Sequence, residues 1–329
     1  MLLFLSPLIA ILTTLLAIAV LLTVKAGNKI SDIPNERSLH AAPVPRIGGI
    51  GLVAGIVAAW AALWVVSLVW WIAAPLLVLF AVSLFDDMRG LPVRLRLFVH
   101  AGAAIVLTAG SGMMSFGLLP ALAAIVCTVW VTNLYNFMDG SDGLAGGMAL
   151  FGFSAYGAAA LMHGNEPLAV LNFSISAAAS GFLCYNFHPA KIFMGDAGSI
   201  PLGFLVSAMG LWGWQQGLWP AWFPFLVFSP FVVDASVTLL KRAVRRAKIT
   251  EAHREHYYQR LVQIGWGHRK VALFAYTLML AAGVSALWGI RQTGNWVLLL
   301  FFAWGATYLI LMATMDMRWQ AFQRRKQHG

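Results

Sequence analysis

The chain is short of charge, short of acids and nearly without cysteine. Only 10% of its 329 residues are Asp, Glu, Lys or Arg, and only 12 are Asp or Glu. That is too little charge to cover the surface of a water-soluble globule of this length, so a soluble enzyme or binding domain is excluded. Cys127 and Cys184 both fall inside apolar runs, which excludes a disulfide framework and any cysteine-based zinc spacing. The first apolar run has no basic stretch before it, so it reads as a retained helix and not as a cleaved signal peptide. Internal repeats, low-complexity linkers and a separate soluble segment are also missing, and residues 1–329 read as one membrane domain.

What remains is apolar. Hydrophobic residues make up 60% of the chain, and its mean hydropathy is +0.78. Eleven runs of roughly membrane-spanning length stand out, at about 2–24, 48–66, 67–85, 97–113, 117–135, 145–163, 167–187, 199–214, 219–240, 271–290 and 296–315. The fold class is therefore all-α, a polytopic membrane protein with about eleven spans.

The net charge of +10 might suggest nucleic acid, but its placement says membrane topology. If the spans alternate, 21 of the 22 Lys and Arg residues fall on one side, with Arg291 alone opposite. The positive-inside rule makes that side cytoplasmic, with the N-terminus outside and the C-terminus inside. Trp64, Trp70, Trp71, Trp212, Trp214, Trp219, Trp222, Trp288 and Trp296 cluster at the outer ends, where an interfacial belt is expected. Of the carboxylates only Glu166 lies outside, and only Asp234 enters a span, roughly 10 Å from its inner end at 1.5 Å per residue. Chemistry is thus confined to cytoplasmic loops at about 25–47, 86–96, 136–144, 188–198 and 241–270.

The stretch 133–147, NLYNFMDGSDGLAGG, is the densest of these. Asn133, Asn136, Asp139 and Asp142 supply oxygen ligands within ten residues, and Gly140 and Gly143 let backbone approach a ligand. Such a set suits a hard cation holding a phosphate. A plain polar turn between helices would carry the same residue types. If the preceding helix continues, Asn133 and Asn136 share a face.

In FDDMRGLPVRLRLFVH, Asp86 and Asp87 are adjacent at a helix C-terminus, the negative end of the dipole, where two carboxylates are costly unless used. Arg89, Arg94 and Arg96 could offset them as a structural salt cluster. In NFHPAKIFMGDAGS, Lys191 is the single cation, and Asp196 sits between Gly195 and Gly198, either as a metal ligand or as a helix cap. The first loop offers Arg37, His40 and Arg46 to a phosphate, or merely sets topology; Gly48, Gly49 and Gly51 after it allow close helix packing. The last loop has KRAVRRAK, expected as a surface helix on anionic headgroups, followed by HREHYYQRL. There His253 and His256, three apart, are expected on one helix face with Arg254 beside them, a group suited to a nucleotide sugar. Their spacing also fits a zinc pair, but no third ligand is near in sequence.

Together, RSLHAAPVPRIGG, DDMRGLPVRLRLFVH, NLYNFMDGSDGLAGG, NFHPAKIFMGDAGS and HREHYYQRL, in this order and on one side, resemble the polyprenyl-phosphate N-acetylhexosamine-1-phosphate transferases. That superfamily includes the phospho-MurNAc-pentapeptide translocase and the enzymes that initiate O-antigen. The resemblance implies attack by undecaprenyl phosphate on the β-phosphate of a UDP-N-acetylhexosamine, with release of UMP, in a bacterial inner membrane. The sugar it implies is N-acetylglucosamine or a 6-deoxy-N-acetylhexosamine such as N-acetylfucosamine. By the same resemblance, Asp86 and Asp87 position or deprotonate the lipid phosphate, beside Arg37, His40 and Arg46. Asp196 and Asn136 would hold Mg2+, with Mn2+ as a substitute. Asp142 would read uracil, with Asp139 and Asn133 on the nucleotide side. Lys191, His253, Arg254 and His256 would meet the diphosphate or sugar. The last motif departs from the usual HxHH, because Glu255 stands where a His is expected. Membrane lipids are the other expected partner, nucleic acid is not one, and a homodimer is left open. The rival reading is a transporter or flippase of lipid-linked sugars, whose ionisable groups should instead lie inside the spans near the midplane.

Overall fold

Each of the eleven apolar runs contains helix among the described residues. The computed structural model describes residues 2–24, 30–32, 43–63, 69–248 and 253–328. In chain order the helices are α1 (Leu2–Thr23), α2 (Gly48–Ala62), α3 (Trp70–Arg89), α4 (Val93–Gly110), α5 (Leu118–Phe137), α6 (Leu144–Met162), α7 (Glu166–Asn186), α8 (Asp196–Gln215), α9 (Trp222–Val227), α10 (Ser229–Val244), α11 (Tyr257–Leu261), α12 (Gly267–Gly289) and α13 (Asn295–His328). Among the described residues, nine helical stretches are long and apolar enough to cross a membrane, and the protein is polytopic. The two remaining runs fall short for visible reasons. Helix α2 has 15 residues before the description stops at 63. The run 219–240 is broken at Phe228 into α9 and α10, with Pro230 opening the second piece, because a proline cannot continue the hydrogen-bond ladder of the first.

Helices α6, α7 and α8 form the centre of the bundle. Helix α6, LAGGMALFGFSAYGAAALM, is rich in small residues, which lets its neighbours come close. It packs on α7, which in turn packs on α1, while α8 is flanked by α3 and α5. The approach of α2 to α8 depends on glycine. A Cβ on Gly49 would lie 2.4 Å from the backbone nitrogen of Gly198. Helix α13 is almost wholly exposed, and its apolar side chains would face lipid. Trp70, Trp288 and Trp296 are exposed as an interfacial belt requires, but Trp219 and Trp71 are not part of it. Trp219 is buried and stacks on Tyr156 at 5.3 Å, because the turn before α9 folds back into the bundle. Trp64 lies outside the described residues.

A two-residue antiparallel pair, β1 (Ser31–Asp32) with β2 (Val44–Pro45), interrupts the all-helical pattern. It matters because its continuation joins the loop before α8. The Phe193 N–H donates to Pro45 O at 2.8 Å, and the Gly48 and Gly49 N–H groups donate to Phe193 O and Met194 O, both at 2.9 Å. The first and fourth basic-side loops are thereby held together. Of the expected surface helix KRAVRRAK, 241–244 is the last turn of α10 and 245–248 is not helical; Arg246 turns the chain with φ 57°.

Candidate active site

Asp86 and Asp87 lie in the last turn of α3, and adjacent helical residues project about 100° apart. Their carboxylates accordingly do different things. Asp87 turns to the start of α8 and accepts the N–H groups of Asp196 at 3.1 Å and Ala197 at 2.9 Å. The cost of an acid at the negative end of α3 is thus offset at the positive end of α8. Gly195 makes this approach possible. Its φ is +70°, and a Cβ there would sit 2.7 Å from Asp87 Oδ2.

Asp86 faces the other way. Its Oδ1 accepts the Leu91 N–H at 2.5 Å, and its Oδ2 accepts from Arg96 Nη1 at 3.0 Å. The same guanidinium nitrogen donates to Asp196 Oδ2 at 3.3 Å. Arg96 therefore bridges an acid at the end of α3 to one at the start of α8. Of the three arginines offered for a salt cluster, Arg96 forms it, as part of the site, while Arg89 lies over the Phe85 ring at 5.7 Å.

Helix α5 does continue through Asn133 and Asn136. Asn133 Nδ2 donates to Val129 O at 2.7 Å, and Asn136 Oδ1 accepts from Ser199 Oγ at 2.7 Å. Asp139 follows on the loop, partly buried. Burial holds its carboxyl well above the ordinary range, and the charges of Asp196 and Asp87 push the same way, against Arg46. Arg46 reaches this cluster through the joined loops and is itself paired with Asp32 at 2.7 Å. Arg37 and His40 lie outside the described residues.

Asp86, Arg96, Asn133, Asn136 and Asp196 line a cavity of about 450 Å³ together with His253 and His256, with Asp87, Asp139 and Arg46 outside its lining. The two histidines are not on a helix face, as their spacing suggested. Residues 253–256 are extended or turned, and α11 begins only at Tyr257 with His256 as its cap. Their rings nevertheless stack, with centroids 4.9 Å apart. Burial, then the neighbouring His256 and Arg242, pulls the His253 pKa down to about 4, so it is neutral at physiological pH. No third ligand joins the pair: no group of three His, Cys, Asp or Glu able to hold a metal occurs among the described residues.

Glu255, at the departure from HxHH, points away from the cavity. It pairs with Arg242 and, at 2.5 Å, with Arg245. These cations hold its carboxyl below the ordinary glutamate value, against the effect of burial. Arg254 is partly buried, and Lys191 is exposed on its loop; neither lines the cavity. Asp142 is buried behind the wall, where its Oδ2 accepts from His188 Nδ1 at 2.6 Å and from the Ala190 N–H at 3.2 Å. His188 stacks on His268 at 5.7 Å, and His268 Nδ1 lies 2.9 Å from Ser141 Oγ. Arg96 is marked in the sequence as a partner of the acids; His188 and Ser199 stand inside NFHPAKIFMGDAGS with no site role assigned, and His268 lies in none of the quoted stretches, so the fold brings those three in.

A match to glycosyl transferase family 4 covers residues 69–213, which takes in every group above from Asp86 to Asp196. A decaprenyl-phosphate N-acetylglucosaminephosphotransferase of Mycobacterium tuberculosis is 32% identical over 288 residues, 74% of this chain and 71% of the relative. The chain belongs to glycosyl transferase family 4. A probable undecaprenyl-phosphate N-acetylglucosaminyl 1-phosphate transferase of Bacillus subtilis is 29% identical over 274 residues, 78% of this chain and 76% of the relative. A phospho-N-acetylmuramoyl-pentapeptide-transferase of Moorella thermoacetica is 32% identical over 170 residues, about half of each chain. These family 4 relatives are polyprenyl-phosphate sugar phosphotransferases, and His253 and His256 lie beyond the family match itself.

Proposed function

We propose that this protein transfers N-acetylhexosamine-1-phosphate from a UDP-sugar to undecaprenyl phosphate. An oxygen of the lipid phosphate bonds to the β-phosphorus, the bridge to the α-phosphorus breaks, and UMP leaves. N-acetylglucosamine is the first choice of sugar, since the family 4 relatives of Bacillus and Mycobacterium are named for it. A 6-deoxy-N-acetylhexosamine such as N-acetylfucosamine is the second. The product would start a cell-surface glycan such as O-antigen at the cytoplasmic face of a bacterial inner membrane. Charge asymmetry in the loops supports that orientation, with the N-terminus outside.

The observation that carries the reading is the single cavity in which the α3–α8 acids bridged by Arg96 face His253 and His256. Both reactants are anions, so the site has to counter charge and set an in-line approach. The donor set fits Mg2+, with Mn2+ as a substitute: Asp196 and Asn136 offer oxygens, and the acids crowded around Asp139 repel one another without a cation. Two protein oxygens suffice for Mg2+, which keeps waters and takes phosphate oxygens as its other ligands. When bound, the ion would neutralise the diphosphate. Asp86 acts on the lipid-phosphate side through Arg96, the cation it holds, since both its own oxygens are engaged. Such a monoester has a second pKa near 6, so at neutral pH it is mostly dianionic and needs little proton removal. Asp87, with both oxygens given to α8, holds Asp196 in place. Arg46, with Arg37 and His40 of its loop, belongs to the lipid-phosphate side; Lys191 and Arg254 belong to the diphosphate and sugar. Asn133, Asp139 and Asp142, together with the His188 that Asp142 holds, belong to the nucleotide.

The transporter reading needs ionisable groups at mid-membrane serving a path. Asp234, the one acid deep in a run, instead accepts the N–H groups that open α11. The test is purified protein with undecaprenyl phosphate and a panel of UDP-sugars. UMP release with at least one sugar is expected, and none with any sugar would overturn the proposal.

A further inference from the structure

Asp234 takes no part in the scheme above, yet it is buried and makes four hydrogen bonds. Its Oδ1 accepts from the Tyr257 N–H at 2.9 Å, Thr238 Oγ1 at 3.2 Å and His256 Nδ1 at 3.3 Å; its Oδ2 accepts from the Tyr258 N–H at 3.0 Å. Asp234, Thr238 and Arg242 recur every four residues and so form one face of α10. From that face Asp234 holds residues 256–258, and Arg242 holds Glu255 and, at 2.8 Å, Lys248 O. Residues 255–258 are thus held by one face of α10, which shapes the turn that leads into α11.

The ring of His256 is fixed as a result. It is 3% exposed and lies against His253, Tyr258 at 5.9 Å and Phe137 at 6.4 Å. A carboxylate can only accept, so the contact to Asp234 requires the proton on Nδ1, in competition with the Gln259 N–H that the His256 side chain also faces as the cap of α11. Nε2 has no hydrogen-bond partner among the described residues, and His256 lines the cavity.

We propose that Asp234 is a positioning residue that fixes the tautomer and aim of His256, so that Nε2 is the atom presented to the donor diphosphate. The inference rests on the reading of the cavity as a transferase site, but part of its test does not. In Asp234→Asn the side chain keeps its size but loses the charge that holds the proton on Nδ1, so the ring's preference for Nδ1–H weakens whichever way the amide turns. Nitrogen-15 spectra of histidine-labelled protein, with the His256 signal assigned by its loss in His256→Gln, should show Nδ1 protonated in the wild type and a shift toward Nε2 protonation in Asp234→Asn. Turnover in Asp234→Asn should fall about 10–100-fold, as for other partners that orient a reacting group. UMP affinity should be unchanged. In the His256→Gln background the same change should cost little more. Thr238→Val removes a bond to the same oxygen without touching His256, and should leave turnover near normal.

Nε2 protonated in the wild type would overturn the inference. Equal turnover losses from Asp234→Asn with and without His256 would overturn it too, since a merely structural cap gives additive effects. A wild type that shows the expected tautomer but releases no UMP would uphold the geometry and sink the transferase reading instead.

Discussion

The junction between α3 and α8 predicts a large effect from one atom. Asp87→Asn replaces a carboxylate oxygen by an amide nitrogen where two backbone N–H groups converge, at 3.1 and 2.9 Å. The remaining oxygen can serve one of them. The other then faces a second donor at a buried helix start, which costs about 1–3 kcal/mol. The charge itself is costly to bury beside Asp86, so its loss adds nothing to this, and the expected loss of stability is roughly 1–3 kcal/mol. Because Asp196 begins that helix, turnover should fall as well, by about 10–100-fold, while UMP still binds. Thermal unfolding in detergent, read by tryptophan fluorescence, gives the stability, calorimetry gives UMP affinity, and UMP release gives turnover. An unchanged melting temperature would refute the capping role. Lost UMP affinity would move Asp87 to the nucleotide side.

Asp139 gives a prediction with a definite sign in pH. Its folded-state pKa is raised, so folding keeps a proton that the unfolded chain releases, and stability is lost as pH rises above the ordinary carboxylate range. Asp139→Asn should therefore raise the melting temperature at about pH 8 and change it little at about pH 4; a loss at about pH 8 would show that the charge is held by partners. Chelation with EDTA should abolish turnover, and Mg2+ or Mn2+ should restore it, with Asp196→Asn among the most damaging changes; full activity in EDTA would remove the metal from the scheme. Asp142→Ala frees His188 and should weaken UMP binding about tenfold to a hundredfold, as loss of a partner that orients a binding group does, and leave the lipid KM nearly unchanged; equal UMP affinity by calorimetry would contradict the nucleotide assignment.

The sequence made the helices legible because lipid demands long apolar runs, and it made one face of the membrane legible because 21 of 22 cations lie on one side. It also brought Asp86, Asn133, Asn136, Asp196, His253 and His256 into one candidate set, and the fold places all six on one cavity. Pairing in sequence misled where tertiary partners decide. Asp86 and Asp87 read as one unit, but helical twist sends Asp87 to α8. His253 and His256 read as a helix face, but Asp234 and Arg242 draw that segment into a turn. Asp142 stands in the same loop as Asp139, yet its carboxylate is occupied by His188 from a loop 46 residues away. Asp234 was visible as an acid too deep for its run; only its four donors say why it is there.

The central claim is that a phosphate travels with the sugar. Purified protein given undecaprenyl phosphate and UDP-N-acetylglucosamine labelled with phosphorus-32 in the β-phosphate tests it directly. The label should pass entirely into the extractable lipid, one equivalent for each UMP released. Label appearing in UDP, with an unlabelled sugar on the lipid, would show that the sugar moves alone and would contradict the account.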